Sequence, residues 1–286
     1  MPKKIMPDYN LHQHSLFSDG KAETLDYVEK AIRLGFSLLG FSEHSPLPFN
    51  TSFSLKKERV QDYINEIDVL KHRFADKLEI FRSLEMDYIP ALSEDFSYWA
   101  DRCKTDYLIG SVHLVSSGTG SPLWFIDGPS PDIYDEGLID FFGGDIKKAL
   151  KAYFHQTNQM IETQRFDIIG HFDKIKMHNA GRYFVDEDLW YRKLIDETLE
   201  LVKSKNLIVE INTRGLYKNR SPKLFPDDYA LQRVKEMEIP IVISSDAHHP
   251  DELNGLFGFS VSYLKQIGFS KMMKYSNSQW DETNLS

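Results

Sequence analysis

The strongest constraint on the fold is a regular alternation of short extended segments with amphipathic helical segments. Seven segments have the apolar character of strands, and they are Tyr9 to His14, Ser37 to His44, Leu78 to Asp87, Asp106 to Val115, Phe166 to Asp173, Leu207 to Asn212 and Pro240 to Ser245. Apolar residues recur at helical spacing between them, over 24–34, 55–74, 91–102, 145–163, 186–205 and 227–238. This alternation predicts a parallel sheet covered by helices.

The residues at the ends of these strands narrow the choice of architecture. Six of the seven strands end in a possible metal ligand, and these are His12 with His14, His44, Glu85, His113, His171 with Asp173, and Asp246 with His248. Barrel enzymes place their sites at the carboxyl ends of the strands. An open doubly wound sheet often carries a glycine-rich phosphate loop instead, and neither GxGxxG nor GxxxxGK[ST] occurs. We therefore predict an α/β fold, a TIM-like (β/α)7 barrel with its site at the C-terminal rim.

The length suits one domain of this kind. With 286 residues and 41% hydrophobic content, the chain can form a single barrel over 1–286. Residues 116–144 are rich in Gly, Pro, Ser and acids and too long for an ordinary loop, so we expect an insertion or lid over one face. The polar tail, from about 276 to 286, is expected to be frayed.

Composition limits the partners and the compartment. A net charge of −9 argues against binding nucleic acid through its phosphates. Apolar runs are too short to span a bilayer, and the start of the chain has no secretory h-region. The single cysteine, Cys103, excludes an intrachain disulfide framework and fits a reducing cytosol. We expect a cytoplasmic protein with a small-molecule partner.

The strand-end residues favour metal-assisted hydrolysis. Each has an ordinary alternative, for example a core histidine at His44, a surface carboxylate at Glu85 or a helix cap at Asp246. Their recurrence at strand after strand is better explained by one shared site. Imidazole and carboxylate ligands without thiolate suit zinc, iron or manganese, and their number implies two or three ions. Such sites hold a hydroxide at neutral pH and clamp a displacement at phosphorus, which predicts hydrolysis of a phosphate ester.

Phosphate also requires cationic side chains beside the metals. Arg214, just past the strand that ends at Asn212, is the best candidate. Lys176 is the second, and either could instead be an ordinary surface residue. Lys174 and Arg182 are weaker candidates.

Six motifs in order resemble the PHP (polymerase and histidinol phosphatase) family. They are His12-Gln13-His14 with Ser18-Asp19-Gly20, Ser42-Glu43-His44, Glu85, Gly110-Ser111-Val112-His113, Gly170-His171-Phe172-Asp173 and Ser245-Asp246-Ala247-His248. The resemblance runs over nearly the whole chain and is strongest to the histidinol-phosphate phosphatase branch. It implies a distorted (β/α)7 barrel and hydrolysis of L-histidinol phosphate in histidine biosynthesis, by attack of a metal-bridging hydroxide.

The resemblance also implies roles for individual residues. His12, His14, Glu85 and Asp246 would bind a first ion, and Glu85 would bridge to a second ion held by His113 and His171. A third ion would be held by Asp19, His44 and His248. Many family members have His where Asp19 stands. From their positions after strands, and not from the resemblance, Arg214 and Lys176 are expected to bind substrate, and Glu85, Asp246 and Arg214 to carry catalysis. Asp173 would orient His171, and His249 would lie outside the ligand set or at the surface.

Several alternative functions remain open on these residues. The substrate could be another small phosphate ester or a nucleotide. A polymerase-associated nuclease module is disfavoured by the acidic charge, an amidohydrolase by the position of Glu85 and the seven strands, and a metal-binding relic by the complete ligand set. Histidinol phosphate would favour acids and aromatics nearby, and 116–144 offers Trp124, Phe125, Asp127, Asp132, Tyr134 and Asp135.

Overall fold

The computed structural model describes residues 6–118 and 122–285, and a seven-stranded parallel sheet lies at its centre. The strands are β1 (Tyr9–Asn10), β2 (Leu38–His44), β3 (Glu79–Asp87), β4 (Tyr107–Ser111), β5 (Leu114–Ser116), β6 (Leu123–Phe125), β7 (Ile168–Ile169), β8 (Ile208–Asn212), β9 (Ile241–Ser244), β10 (Lys271–Ser276) and β11 (Gln279–Asn284). The central sheet has the order β1-β2-β3-β4-β7-β8-β9, and each neighbouring pair is parallel.

The two edges of this sheet meet just beyond β1 and β9. Gln13 and Ala247 form a parallel bridge, and the backbone N–H of His14 donates to the carbonyl of Ala247 at 2.8 Å. The side chain of Asn10 accepts a hydrogen bond from the N–H of Ser245. The sheet is thereby nearly closed, so the predicted α/β barrel of seven strands is confirmed.

Helices occupy the connections between the strands. They are α1 (Thr24–Leu34), α2 (Val60–Arg73), α3 (Phe96–Cys103), α4 (Pro131–Phe142), α5 (Ile146–Thr163), α6 (Leu189–Ser204), α7 (Arg214–Tyr217), α8 (Asp228–Glu236) and α9 (Phe257–Gln266). Helix α3 begins later than the predicted residue 91, because Asp95 caps it by accepting from the N–H of Ser97. Within the described ranges, no helix combines the length and apolarity needed to cross a membrane.

The 116–144 segment contributes to the core in its described part. Strands β5 and β6 form an antiparallel pair, and α4 follows them. Trp124 and Tyr134 are fully buried, and their rings pack with centroids 4.8 Å apart. Residues 119–121 lie outside the described part. The segment is therefore anchored by aromatic packing, and its movement as a lid stays a prediction.

The prediction of a frayed tail is wrong. Strands β10 and β11 form an antiparallel hairpin whose turn, at Asn277 and Ser278, has the two positive φ angles that type I′ turns require. The phenol of Tyr275 donates to the carbonyl of Asp106, and the indole of Trp280 donates to Asp167. The prediction failed because most residues of this hairpin are polar. The few aromatic residues that anchor its inner face do not form a recognisable apolar pattern in the sequence.

We predict that Gly40→Ala destabilises the barrel. A β-carbon at Gly40, in β2, would lie 1.9 Å from the hydroxyl of Tyr107, and that hydroxyl donates to the carbonyl of Leu11 next to the HxH segment. Overpacking of this kind costs about 1–3 kcal/mol, which thermal denaturation would detect as a fall in Tm of roughly 2–4 °C per kcal/mol.

Gly258→Ala in α9 is the matched control for this experiment. Its added β-carbon would meet only the side chain of Met6, at ordinary contact distances of 3.6–3.7 Å. Alanine is also the better helix former, so this variant should keep or raise the Tm. An unchanged Tm for Gly40→Ala would contradict the proposed clash.

Candidate metal centre

The extended segment after β1 directs His12 and His14 into the barrel, where both are fully buried. Alternation along the strand places their rings on one side. The Nε2 atoms of His12 and His14 lie 3.2 and 3.4 Å from Oε2 of Glu85, and 3.8 and 3.3 Å from Oδ1 of Asp246. Ligand atoms of a tetrahedral zinc ion are about 3.3 Å apart. The ligand atoms of His12, His14 and Asp246 all lie within 4.8 Å of one another, so these three groups approach the spacing of a single metal site, with Glu85 beside the two histidines.

Glu85, near the end of β3, faces two groups of histidines at once. Its Oε2 atom points to His12 and His14, whereas its Oε1 atom lies 2.9 Å from Nε2 of His171 and 3.6 Å from Nε2 of His113. His113 falls in the gap between β4 and β5, where the predicted strand is interrupted. The single carboxylate therefore connects two potential cation sites.

A third group lies on the more open side of the site. Oδ1 of Asp19 is 3.2 Å from Nε2 of His248 and 3.7 Å from Nε2 of His44. The Asp19 side chain is 27% exposed, in contrast to the enclosed Glu85. Nδ1 of His44 also lies 3.1 Å from Oε2 of Glu85, so His44 adjoins the central carboxylate as well.

The donor atoms of this cluster fit divalent cations. Among the described residues, the buried side-chain atoms without a hydrogen-bond partner include Nε2 of His12, His14, His113 and His171, Nδ1 of His44 and His171, Oε1 of Glu85 and Oδ1 of Asp19. An unsatisfied buried polar group costs about 1–3 kcal/mol, and cations held between these residues would satisfy the atoms that converge on the cluster, among them Nε2 of His171 but not its Nδ1. The nine predicted ligands form four overlapping groups, each with its ligand atoms within 4.8 Å.

The charges within the cluster act differently on its members. Burial raises the pKa of Glu85, but His12, His44 and His113 outweigh it and hold that pKa well below its usual value. Burial lowers the pKa of His14, and His44 and His248 lower it further. Metal ligands must be deprotonated carboxylates and neutral imidazoles. Both groups are therefore in the form that binds cations.

Burial lowers the pKa of His12 and His113, but nearby carboxylates, chiefly Glu210 at His12 and Asp87 at His113, outweigh it, so the pKa of His12 lies well above its usual value and that of His113 is about 9. A cation would have to displace a proton at these two rings, whereas Glu85 and His14 are already in the form that binds cations.

Two buried carboxylates that the sequence analysis missed contact the predicted ligand histidines on the side away from Glu85. Oε1 of Glu210 is 2.5 Å from Nδ1 of His12, and its Oε2 accepts from the backbone N–H of His171. Oδ2 of Asp87 lies 3.1 Å from Nδ1 of His113, and its Oδ1 accepts a hydrogen bond from the backbone N–H of His113. The available signal was an acid inside an otherwise apolar strand, as in Leu207-Ile208-Val209-Glu210-Ile211.

A third missed carboxylate, Glu43, organises the loop that carries Asp19. It accepts from the backbone N–H and the hydroxyl of Ser15 and from the hydroxyl of Ser18. The residue is fully buried beside His44 in β2. Its position explains how an irregular loop can hold Asp19 near the two histidines of the third group.

Lys176 does not reach the metal ligands, contrary to the sequence-based prediction. Its ammonium lies 2.5 Å from Asp227 and 3.1 Å from Asp173. Asp173 also accepts from the backbone N–H of Asp227, so the expected hydrogen bond from Asp173 to His171 is absent from the described structure. Both errors arise because a short 3-10 turn over Lys174–Lys176 follows the strand, and it turns Lys176 away from the site.

Lys174 occupies the place predicted for Lys176. Its buried ammonium is 2.7 Å from Oδ2 of Asp127 and 4.0 Å from Oδ2 of the ligand Asp246. Burial lowers the pKa of Lys174, but Asp127, Asp246 and Glu85 raise it above the ordinary value. The lysine is therefore held as a cation beside the cluster.

Arg214, at the start of α7, adjoins the same region. Its Nη1 atom donates to the carbonyl of Asp246 at 2.9 Å, to Glu252 at 3.2 Å and to Tyr217 at 3.3 Å. These contacts fix the guanidinium at the edge of a cleft of about 450 Å³ that contains Asp19 and His248. His249 is exposed and pairs locally with Asp251, so it stands apart from the ligands.

Arg182 lies away from the cluster. Its guanidinium is bound by Asp135 of α4 through two hydrogen bonds of 2.6 and 2.9 Å and by the carbonyl of His178. It links the 116–144 segment to the segment after β7 and does not contribute to the cationic edge.

A parallel barrel with clustered histidine and carboxylate side chains that could hold metal ions at its C-terminal rim has the features of a metal-binding barrel protein. The chain matches the PHP domain family over residues 10–214. It belongs to the PHP family.

Relatives of known name cover most of the chain. The histidinol-phosphatase of Bacillus subtilis is 28% identical over an alignment of 261 positions, which covers 85% of this chain and 94% of that protein. The crystal structure of a histidinol phosphatase from Listeria monocytogenes, described as putative, superimposes with a TM-score of 0.75 at 26% identity, covering 87% and 98% of the two chains.

A second structure shares the fold. Histidinol phosphate phosphatase from Lactococcus lactis, complexed with zinc, L-histidinol and phosphate, has a TM-score of 0.67 at 24% identity and covers 96% of this chain and 98% of its own.

We predict that Glu210→Gln weakens metal binding without unfolding the barrel. The amide keeps the shape but supplies no negative charge to polarise the ring of His12, and outer partners of this kind are worth about 10–100-fold in metal affinity. Competition with a chelator measures the change. The exposed Glu200→Gln in α6 is the matched control and should bind metal like the unmodified protein; equal affinities for both variants would contradict the role of Glu210.

Proposed function

We propose that this protein is a metal-dependent phosphomonoesterase that hydrolyses L-histidinol phosphate to L-histidinol and phosphate in histidine biosynthesis. The observation that carries the chemistry is the Glu85 carboxylate, whose two oxygens face separate histidine groups. The substrate is supported by the name of the Bacillus subtilis relative, of which 94% is covered, and by the substances in the Lactococcus lactis complex.

Nine residues would hold two or three divalent ions, which we assign as zinc, iron or manganese. His12, His14, Glu85 and Asp246 would hold one, Glu85, His113 and His171 a second, and Asp19, His44 and His248 a third. The mixed imidazole and carboxylate donors support borderline metals. Bound ions of this kind supply a nucleophile from water at neutral pH and neutralise charge on a phosphoryl group.

Arg214 and Lys174 would bind the phosphoryl oxygens. The hydrogen bonds of Arg214 within the described protein all leave from Nη1, so Nε and Nη2 can donate to an anion as a fork. Lys174 would supply a point charge near Asp246. Together they place two cations on one side of the ligand cluster, where they would orient the ester for attack.

The proposal is tested by measuring phosphate release from a panel of esters, with elemental analysis of the same preparation. We expect two or three ions per chain and a kcat/KM for L-histidinol phosphate at least about 100-fold above those for nucleotides and glycerol 3-phosphate, since a site built for a polar substrate rejects analogues by large factors. A higher kcat/KM for a nucleotide would overturn the substrate assignment.

We predict that Glu85→Gln lowers metal content and turnover together. Loss of an outer partner alone costs roughly 10–100-fold, so loss of the shared carboxylate should reduce turnover by more than about 100-fold. Glu79→Gln is the matched control, because Glu79 is exposed at the opposite end of the same strand. Near-normal turnover by a metal-depleted Glu85→Gln protein would disprove the shared role.

We predict that Lys174→Met and Lys176→Met have different effects, the first on phosphate binding and the second on stability. Lys174→Met should weaken inhibition by inorganic phosphate about 10-fold or more, because a hydrogen bond to a charged group is worth about 1.5–3 kcal/mol. Lys176→Met should instead cost about 3–5 kcal/mol of stability, since it leaves two buried carboxylates without their partner. Equal effects on phosphate inhibition would refute the assignment to Lys174.

A further inference from the structure

Two stacked phenylalanines lie beside the predicted metal ligands, and we call this pair the aromatic wall. No part of the hydrolytic mechanism uses it. Phe53 lies in the connection between β2 and α2, and Phe125 ends β6. Their rings are stacked, with centroids 5.4 Å apart and planes only 8° from parallel. Both are partly buried against a small apolar cluster of Leu47, Ile89 and Leu114, and both line the cleft.

The aromatic wall is in contact with the site itself. The ring of Phe53 meets the ring of His44 edge to face, with centroids 5.2 Å apart, and lies 6.5 Å from the ring of His113. A group bound at the metal ligands would therefore be within reach of the aromatic surface. Apart from Pro129, the other described residues that line this cleft are polar or charged, so Phe53 and Phe125 supply its large apolar surface.

The cationic residues of the cleft come from a different part of the barrel than Phe53. Arg214, Lys218 and Arg220 follow β8, whereas Phe53 follows β2. In the closed order of the sheet, β2 and β8 are separated by β1 and β9 on one side and by three strands on the other. Phe53 and the cationic residues thus enter the cleft from separate sectors of the barrel. Asp127, two residues beyond Phe125, connects the two sides by pairing with Lys174 and Arg220.

This division gives a bound ester one orientation. The phosphoryl group, which carries the negative charge, belongs on the side of Arg214 and Lys174 and on the metals. The organic part then extends towards Phe53 and Phe125, where a planar ring can stack on a phenyl face or meet its edge. A short aliphatic leaving group would not cover that apolar surface, which would stay exposed to water. It would therefore gain no binding free energy from the two rings.

We propose that Phe53 and Phe125 form the specificity subsite that binds the planar ring of the leaving group. The inference rests on the proposed function, in which that ring is the imidazole of L-histidinol phosphate. It extends that function by assigning the selection for ring-bearing phosphomonoesters to these two residues. Phe125 is the better residue to change, because Phe53 also contacts two ligand histidines.

The test is the selectivity of Phe125→Leu, defined as the ratio of kcat/KM for L-histidinol phosphate to that for glycerol 3-phosphate. Leucine keeps an apolar side chain but removes the ring, so we expect the ratio to fall about two- to tenfold, the usual worth of an aromatic contact. Affinity for L-histidinol, measured calorimetrically with the metal-loaded protein in saturating phosphate, should fall by the same factor.

Two further variants separate ring recognition from general damage. Phe125→Tyr retains the ring and should retain the selectivity. Phe259→Leu is the matched control, because Phe259 is half exposed on α9 and stacks on Tyr263 with planes 6° apart, outside the cleft. If Phe125→Leu loses its fold or its metal, Phe125→Met repeats the test with a flexible side chain of similar size.

The outcomes distinguish the two proposals. If the unmodified protein hydrolyses both esters equally well, the proposed function is wrong and the subsite falls with it. If the unmodified protein strongly prefers L-histidinol phosphate and Phe125→Leu keeps that preference and the affinity for L-histidinol, only the aromatic subsite is wrong. The subsite is supported if Phe125→Leu loses both the preference for L-histidinol phosphate and the affinity for L-histidinol, while Phe125→Tyr and Phe259→Leu retain the preference and the affinity.

Discussion

The structure depends on placing many imidazole and carboxylate groups together in a largely buried barrel interior. A buried polar or charged group is costly unless it is hydrogen-bonded or paired. Each of these groups therefore needs a protein partner on the side away from Glu85 and a cation on the side towards it. Glu210 behind His12 and Asp87 behind His113 supply the protein side. Their carboxylates fix the ring orientation, so that the Nε2 atoms converge towards Glu85. The carboxylates of Glu210 and Asp87 therefore surround the predicted ligands, and they determine how the rings of His12 and His113 are oriented.

The barrel and the convergence of its strand-end residues could be predicted from the sequence because both follow from short-range patterns. Alternating strands and helices dictate a parallel sheet, and strand ends in a barrel meet at one rim. His12 and Asp246 are far apart in the chain, yet both follow strands that become neighbours when the sheet closes. No knowledge of side-chain packing was needed for this step.

The errors occurred where the backbone leaves regular structure. Lys174 and Lys176 differ by two positions, and a strand would have directed both to the same face. A single 3-10 turn sends one to Asp127 and the other to Asp227, which no periodicity reveals. Glu210 was missed for a different reason, since its partner His12 is 198 positions away. The final hairpin was missed because its anchoring residues Tyr275 and Trp280 are few among polar neighbours.

The closing hairpin has a consequence for the order in which the molecule can assemble. Strand β1 pairs with β2 through only two residues. Its Tyr9 donates to the carbonyl of Met273 in β10, and the segment beyond it is bridged to Ala247. The first strand of the described structure is thus secured by segments that lie far later in the sequence. In a chain emerging from the ribosome, His12 and His14 stay without these contacts until Ala247 and Met273 have been made, so the histidine pair can be enclosed only when long-range contacts close the barrel.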